Sequence, residues 1–315
     1  MLALRYHTIG KLADLRLEHV PAPLPAAGEV LVRIRAASVN PVDWKIATGS
    51  FRVLVRGGVP RTMGSDFAGE VTEIGPGVTA FARGDRVLGF VNPFTQTGGT
   101  FAEFAAVPAN YVHPMPAELE FRDAAALACV GATAVSMCNL ARVGTGSNVL
   151  VNGASGGVGH VTVQVAKARG ATVTATASAA RRDFVLGLGA NHYIDYQREP
   201  MEQWPGGFAA VLDCVPNIPR RLHGRLLVRG GHYVTTIPGP ATFLLDPLWN
   251  GLGRVRRHGV MLQPDAAMME EFLQYAMQGR LQCTIEREYT LQEALAAIER
   301  SRSGRVQGKV VIRVA

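Results

Sequence analysis

Residues 148–159 read NVLVNGASGGVG, from Asn148 to Gly159. The first half suits a short buried strand, Ala154 to Gly159 is a glycine-rich turn, and HVTVQVAKARG (160–170) is apolar at helical spacing until Gly170 stops it. Strand, glycine turn and helix in this order form a pyrophosphate site. The helix N-terminus offers unpaired N–H groups and a positive dipole end, and glycines let the backbone approach the phosphates. Ala154 stands where the usual GxGxxG pattern has its first glycine, but the flanking strand and helix supply the context the motif requires. The stretch also fits a Gly-x-Ser-x-Gly nucleophile elbow through Gly153, Ser155 and Gly157, which would need a later histidine such as His223, His232 or His258. Gly156, Gly159 and the strand–helix repetition that follows favour phosphate binding.

That repetition predicts strands at ATVTATA (171–177), NHYIDY (191–196), FAAVLDCV (208–215), GHYVTTI (231–237) and HGVMLQ (258–263), with helices at 180–189 and about 218–228. Six alternating strands predict a doubly wound parallel sheet covered on both faces. Residues 1–118 differ: EVLVRIRAASV (29–39), FAGEVTEIGPGV (67–78) and GDRVLGFV (84–91) are β segments divided by Gly/Pro turns. After 264, DAAMMEEFLQYAMQ and TLQEALAAIERSRSG read as helices, the second opened by a Thr290/Glu293 capping box, and KVVIRV closes the chain as a strand. The expected division is therefore a β-rich domain of 1–118 plus 264–315, and a dinucleotide-binding domain of 119–263.

An NAD-binding sheet usually carries Asp or Glu at the end of its second strand to accept from the ribose 2′-hydroxyl. Here no acid occurs between Gly159 and Asp183, and Ser178, Arg181 and Arg182 stand there instead. A carboxylate repels a 2′-phosphate, whereas arginine and a hydroxyl bind it, so the cofactor expected is NADPH.

No histidine has HxxxH spacing or a cysteine neighbour, and Cys129, Cys138, Cys214 and Cys283 are scattered, so no metal site and no disulfide framework is expected. This favours a reducing compartment, with the cytoplasm as the expected location. The run Ala124–Ala141 is uncharged and tempts a membrane reading, but its Thr133, Ser136 and Asn139 suit a buried helix, with Asp123 as its cap. The net charge of +7 comes almost wholly from arginine. The densest cluster, Arg254 to His258, lacks interleaved aromatics, which argues against nucleic acid and for attraction to a polyanionic cofactor.

Further motifs carry a family resemblance over essentially the whole chain: Ala37-Ser-Val-Asn40-Pro-Val-Asp43, Gly64-Ser-Asp66-Phe-Ala-Gly-Glu-Val71, Gly84-Asp-Arg-Val-Leu-Gly89, Gly98-Gly-Thr-Phe-Ala-Glu103, Asn152-Gly-Ala-Ser-Gly-Gly-Val-Gly159 and Gly308-Lys-Val-Val311. With them the chain resembles the zinc-independent medium-chain dehydrogenase/reductases of the quinone oxidoreductase, or zeta-crystallin-like, group. The resemblance implies a GroES-like β-rich catalytic domain, completed by the C-terminal tail, and a Rossmann domain, with the active site in the cleft between them. In zinc-dependent relatives a cysteine ligand stands at the place of Asn40, and Gly-His-Glu at Gly64-Ser65-Asp66. Both ligand positions are lost here.

The resemblance further implies Asn40 near the nicotinamide ribose and Thr133 near the nicotinamide and pyrophosphate. Ser155, Gly156, Gly157 and Val158 would cradle the pyrophosphate, and Ser178, Arg182 and Tyr196 would hold the 2′-phosphate. Val215, Thr236, Ile237 and Leu262 would line the cofactor at strand ends. Asn40 and Asp43 are the catalytic candidates, with Asp43 read as a buttress of the Asn40 loop rather than an acid. The expected activity is hydride transfer from NADPH to a quinone or an α,β-unsaturated carbonyl. The loops Val91–Thr97 and Pro238–Trp249, with Phe94, Phe243, Leu244 and Trp249, suit an apolar acceptor. An enoyl-thioester reductase and a poorly turning-over NADPH sensor are the alternatives, and a homodimer paired along the HGVMLQ edge is the expected assembly.

Overall fold

A computed structural model describes all residues except 11, 97, 238–245, 247–249, 251–253, 264 and 315. The chain divides into two compact units, Met1–Cys129 with Ile285–Ala315, and Val130–Thr284. The tail therefore splits at Ile285 and not at 264. The helix Ala266–Met277 stays with the second unit because Phe272 meets Gly131 and Glu271 pairs with Arg169 at 2.8 Å. Only the chain from Ile285 onward returns to the first unit.

In the first unit a β-sheet runs in the order β15 (Ile285–Thr290), β16 (Lys309–Arg313), β3 (Glu29–Ser38), β5 (Asp66–Ile74), β6 (Arg86–Phe90), β8 (Val112–Pro114), with β7 (Phe104–Pro108) on β3. A smaller sheet joins β1 (Leu2–Tyr6), β2 (Arg16–His19) and β4 (Arg61–Thr62). Alternation along β3 turns Val30, Val32 and Ile34 into a core that also takes Phe67, Phe101, Ile298 and Ile312. The closing strand β16 pairs antiparallel with β3, Val311 opposite Ser38 and Ile312 opposite Ala37. This pairing sets the last strand against the start of helix α1 (Pro41–Ala47). The Thr290/Glu293 capping box forms as expected, with Thr290 N–H donating to Glu293 Oε2 at 2.9 Å.

In the second unit six strands form one parallel sheet, in the order β11 (His192–Asp195), β10 (Thr172–Ala177), β9 (Asn148–Asn152), β12 (Phe208–Asp213), β13 (Leu227–Thr235), β14 (Val255–Gly259). This is the 3-2-1-4-5-6 order of the doubly wound fold, whose ligand crevice lies beyond the carboxyl ends where the order reverses, here between β9 and β12. The sixth strand starts three residues before HGVMLQ, takes in Arg256 and Arg257, and shares only His258 and Gly259 with it. At a sheet edge half of a strand faces solvent, so an apolar run is no guide to its position. The outward amide and carbonyl of Arg257 are taken by the Asn250 carboxamide, each at 2.8 Å.

Helix α2 (Phe121–Leu140) begins two residues before Asp123, which therefore sits in its first turn and not at its cap. By length and composition α2 is long enough to cross a membrane, but 72% of its apolar window is buried in the protein, the burial of a core helix.

Candidate active site

The glycine turn joins β9 to helix α3 (Gly157–Ala168). Gly153 adopts φ +74°, and a Cβ there would stand 2.1 Å from Val215 Cγ2. A Cβ on Gly159 would stand 2.1 Å from the Gly153 carbonyl oxygen. At Gly156, which begins α3 with φ −84°, the nearest atom would be 3.5 Å away. The three glycines thus do different work: Gly153 makes the turn, Gly159 packs helix on strand, and Gly156 leaves open space in front of the helix. The first bond of the helix runs from His160 N–H to Gly156 O at 3.0 Å, so the preceding N–H groups of Gly157, Val158 and Gly159 lie outside the helical ladder. His160 is fully buried and braces this end. Its Nε2 accepts from Thr284 N–H at 3.1 Å, so its Nδ1–H donates to Gly156 O at 2.9 Å. The open, glycine-lined helix start fits a dinucleotide pyrophosphate.

Beneath the turn lies a buried network that sequence reasoning missed. Gly153 N–H donates to Thr176 Oγ1 at 3.0 Å, and Thr176 Oγ1–H to Asn152 Oδ1 at 2.7 Å. Asn152 Nδ2 donates to Asp213 Oδ1 at 2.8 Å, and Tyr233 O–H to Asp213 Oδ2 at 2.6 Å. The network ties the carboxyl ends of β10, β9, β12 and β13 across the point where strand order reverses. Burial and the neighbouring Asp213 carboxylate push the Tyr233 phenol well above its usual range. The phenol therefore stays a donor. His223 stacks on Tyr233 at 3.7 Å, and its burial lowers its pKa to about 4.

Register gathers most of the expected cofactor residues at this same end. Ser178 follows β10, Tyr196 follows β11, Val215 follows β12, Thr236 and Ile237 follow β13, and Leu262 lies beyond β14. Ser178 precedes a single 3₁₀ turn, after which Arg182 opens helix α4 (Arg182–Gly187) with its side chain exposed. Tyr196 is 51% exposed, whereas Tyr193 donates its hydroxyl to Ala177 O at 3.3 Å, beside Ser178. Burial and Asp195 raise the Tyr193 pKa while the Arg182 charge opposes them. Tyr193 is thus a neighbour of this corner that the sequence did not single out. Val215 covers Gly153 but is 49% exposed, and Thr133 is buried on α2. Ser155 makes no side-chain hydrogen bond to a histidine among the described residues, and His232 and His258 bond each other at 3.1 Å. No nucleophile–base pair is therefore assembled.

A second polar cluster lies in the first unit. Asn40 precedes α1, and its N–H donates to Asp43 Oδ2 at 2.8 Å. Asp43 Oδ1 accepts from Ser65 Oγ at 2.8 Å. Asn40 Nδ2 donates to Asp66 Oδ2 at 2.9 Å and approaches Ser65 Oγ at 3.3 Å. Ser38 gives Asp66 two more donors, its N–H at 3.0 Å and its hydroxyl at 2.7 Å. All of these side chains are at least 95% buried. Burial and the Asp66 charge raise the Asp43 pKa to about 7, against the Asn40 and Ser65 hydrogen bonds. Burial also pushes Asp66 up, opposed by Lys309 and its donors from Asn40 and Ser38. Both carboxyls are thus pushed above their ordinary range by burial, Asp66 against the larger set of donors. Among the described residues no three His, Cys, Asp or Glu are grouped to hold a metal. With Asn40 and Ser65 at the former ligand positions the donor set does not fit zinc.

The raised Asp43 pKa makes folding take up a proton between pH 3.8, the ordinary value, and about 7. The folded state binds more protons than the unfolded state in that window, so this contribution to stability falls as pH rises through it. Thermal denaturation across the window should show the fall in the wild type, and the isosteric Asp43→Asn should remove it. A variant that loses stability in parallel with the wild type at every pH would exclude Asp43 as its source.

The chain matches two family models, the alcohol dehydrogenase GroES-like domain over residues 26–117 and the zinc-binding dehydrogenase domain over 188–312. A chloroplast envelope quinone oxidoreductase homolog from Arabidopsis thaliana is 34% identical, covering 99% of this chain and 98% of its own. The Mus musculus quinone oxidoreductase is 33% identical over 95% of this chain and 93% of its own. The chain belongs to the quinone oxidoreductase group of the medium-chain dehydrogenase/reductase family. The solved quinone oxidoreductase of Coxiella burnetii superposes with a TM-score of 0.92 at 30% identity, over 100% of this chain and 99% of that one. A 2-methylene-furan-3-one reductase from Solanum lycopersicum is 30% identical over 99% of this chain and 79% of its own. A medium-chain oxidoreductase of this group is an enzyme that works with a nicotinamide cofactor. The zinc in the second domain's description has no counterpart among the described residues of this chain.

Proposed function

We propose that this oxidoreductase uses NADPH to reduce a quinone or the β-carbon of an α,β-unsaturated carbonyl without zinc. The observation that carries the cofactor choice is the end of β10, which has Ser178 and the exposed Arg182 where an NAD binder places an acid. The relatives' names support the acceptor class, quinones in one group and an activated enone in the tomato enzyme. When bound, the nicotinamide supplies the hydride. The protein's part is positional: α3 offers its first-turn N–H groups to the pyrophosphate, the Asp213 network holds the turn still, and the Asn40 cluster presents a buried, hydrogen-bonded surface. Phe94, from the first candidate acceptor loop, packs edge-on against Phe51 at 5.6 Å. The other loop, Pro238–Trp249, lies outside the described residues except for Asp246.

A panel of free quinones, enones and acyl thioesters, each followed at the absorbance of reduced nicotinamide with NADPH and with NADH, tests the reading. NADPH oxidation with quinones or free enones is expected. Turnover confined to acyl thioesters would move the chain to the thioester reductases, and none with any acceptor would make it a binding protein. All four cysteines are free, which supports a reducing compartment such as the cytoplasm. We also propose a homodimer. The β14 edge invites pairing, although Asn250 already holds the outward groups of Arg257. Light scattering at micromolar concentration is expected to give twice the 33.7 kDa chain mass, and the chain mass itself would refute the dimer.

A further inference from the structure

Lys309 is one of only four lysines in the chain and opens the apolar strand KVVIR, where it is 3% exposed. A buried ammonium is costly unless its protons find acceptors. Its Nζ donates to Asn40 Oδ1 at 2.6 Å and to Val39 O at 3.3 Å, and lies 3.8 Å from Asp66 Oδ2. These contacts orient Asn40 uniquely. With the oxygen engaged by a cation, the amide nitrogen has to face Asp66 and Ser65, both of which accept from it. A flip would set the carboxamide oxygen against the Asp66 carboxylate and the NH₂ against the ammonium, so both ends oppose it. The cluster holds two carboxyl groups and one lysine, all buried, and Lys309 is the cation that bonds Asn40 among the described residues.

We propose that Lys309 is the positioning residue of this centre: a buried ammonium that locks the Asn40 carboxamide and, through it, the Asn40–Ser65–Asp66 surface used in catalysis. The kinetic consequence rests on the oxidoreductase reading, whereas the lock itself does not. The charged and titratable groups facing the cluster are Asp43, Asp66 and Lys309, with Tyr6 and Arg61 across a small cavity of ≈ 20 Å³ that Asp43 also lines. Lys309 opposes the upward push on Asp43, so its removal should carry the Asp43 titration to higher pH.

Four measurements test this. In wild-type protein the Asn40 side-chain NH₂ should give two resolved, slowly exchanging amide signals by NMR. Exchange at the solvent rate would overturn the lock whatever the enzyme reduces and however any variant folds. Lys309→Met keeps length and removes charge, and kcat should fall about tenfold to a hundredfold, the usual weight of a charge-assisted hydrogen bond, with its pH profile displaced upward. A kcat within about twofold of wild type would overturn the proposal. In Lys309→Ala, propylammonium should restore kcat saturably and 1-propanol should not. Equal rescue by the alcohol would show that only volume was missing. Finally, Asn40→Leu combined with Lys309→Met should be little worse than either alone, and additive losses would show that Lys309 does not act through Asn40. If the wild type reduces no quinone or enone, the functional reading fails, and the exchange measurement still decides the lock.

Discussion

Arg182→Ala is expected to lower NADPH affinity about tenfold to a hundredfold and to leave NADH affinity nearly unchanged, which corresponds to a charge-assisted contact of roughly 1.5–3 kcal/mol. Arg182 is exposed at the start of α4, one short turn after Ser178, and it makes no ion pair within the chain among the described residues. Its charge is thus free for a ligand, and its removal leaves no buried carboxylate unpaired. Tyr193, bonded to the end of β10, bounds the same corner. The specific result is a collapse of the NADPH/NADH ratio, measured by fluorescence titration of the two reduced cofactors. Equal weakening of both would make Arg182 structural. A wild type that already prefers NADH would mean that the missing acid at the end of β10 does not set the choice.

The second large effect separates two glycines three residues apart. Gly159→Ala is expected to destabilise the protein by about 1–3 kcal/mol, because its Cβ meets the Gly153 carbonyl and the Ala154 backbone, atoms that move only if the helix moves. At on the order of 2–4 °C per kcal/mol for domains of 150–250 residues, thermal denaturation resolves that loss readily. Gly156→Ala should leave the melting temperature almost unchanged, since its backbone is allowed to any residue and its Cβ meets only the Gly153 oxygen at 3.5 Å. It should instead weaken dinucleotide binding, because the added methyl occupies the open side of the turn. The reverse pattern, with a stable Gly159→Ala and a melted Gly156→Ala, would overturn this division of roles. It would also remove the packing argument for reading the turn as a phosphate cradle.

These two sites differ in how they could be read. The glycine turn, the strand–helix alternation and the absent acid after Ala177 are local features: period, spacing and residue type suffice, because backbone approach to a phosphate and repulsion of a 2′-phosphate depend on the residues at the position itself. The loss of zinc ligands at Asn40 and Ser65 is likewise a matter of side-chain chemistry. The Asn40–Asp43 bond was also within reach, three residues apart at a helix start.

The tertiary structure alone decided what saturates these groups. Lys309 bonds Asn40 across 269 positions, and nothing near either residue announces the other; the one local hint is a lysine opening an apolar strand. Asp213, Asn152, Thr176 and Tyr233 looked like ordinary strand-end residues until parallel register placed them in one network. The sixth strand fell at Val255–Gly259 because an edge strand tolerates Arg256 and Arg257 on its open side, so its apolar pattern is weak. The tail divided at Ile285 because Phe272 and Glu271 find partners in the second unit, which helix period does not specify. Sequence determined the class of chemistry, through local backbone form and residue type. Three-dimensional packing determined which buried donors meet which acceptors, because that depends on contacts between residues far apart in the chain.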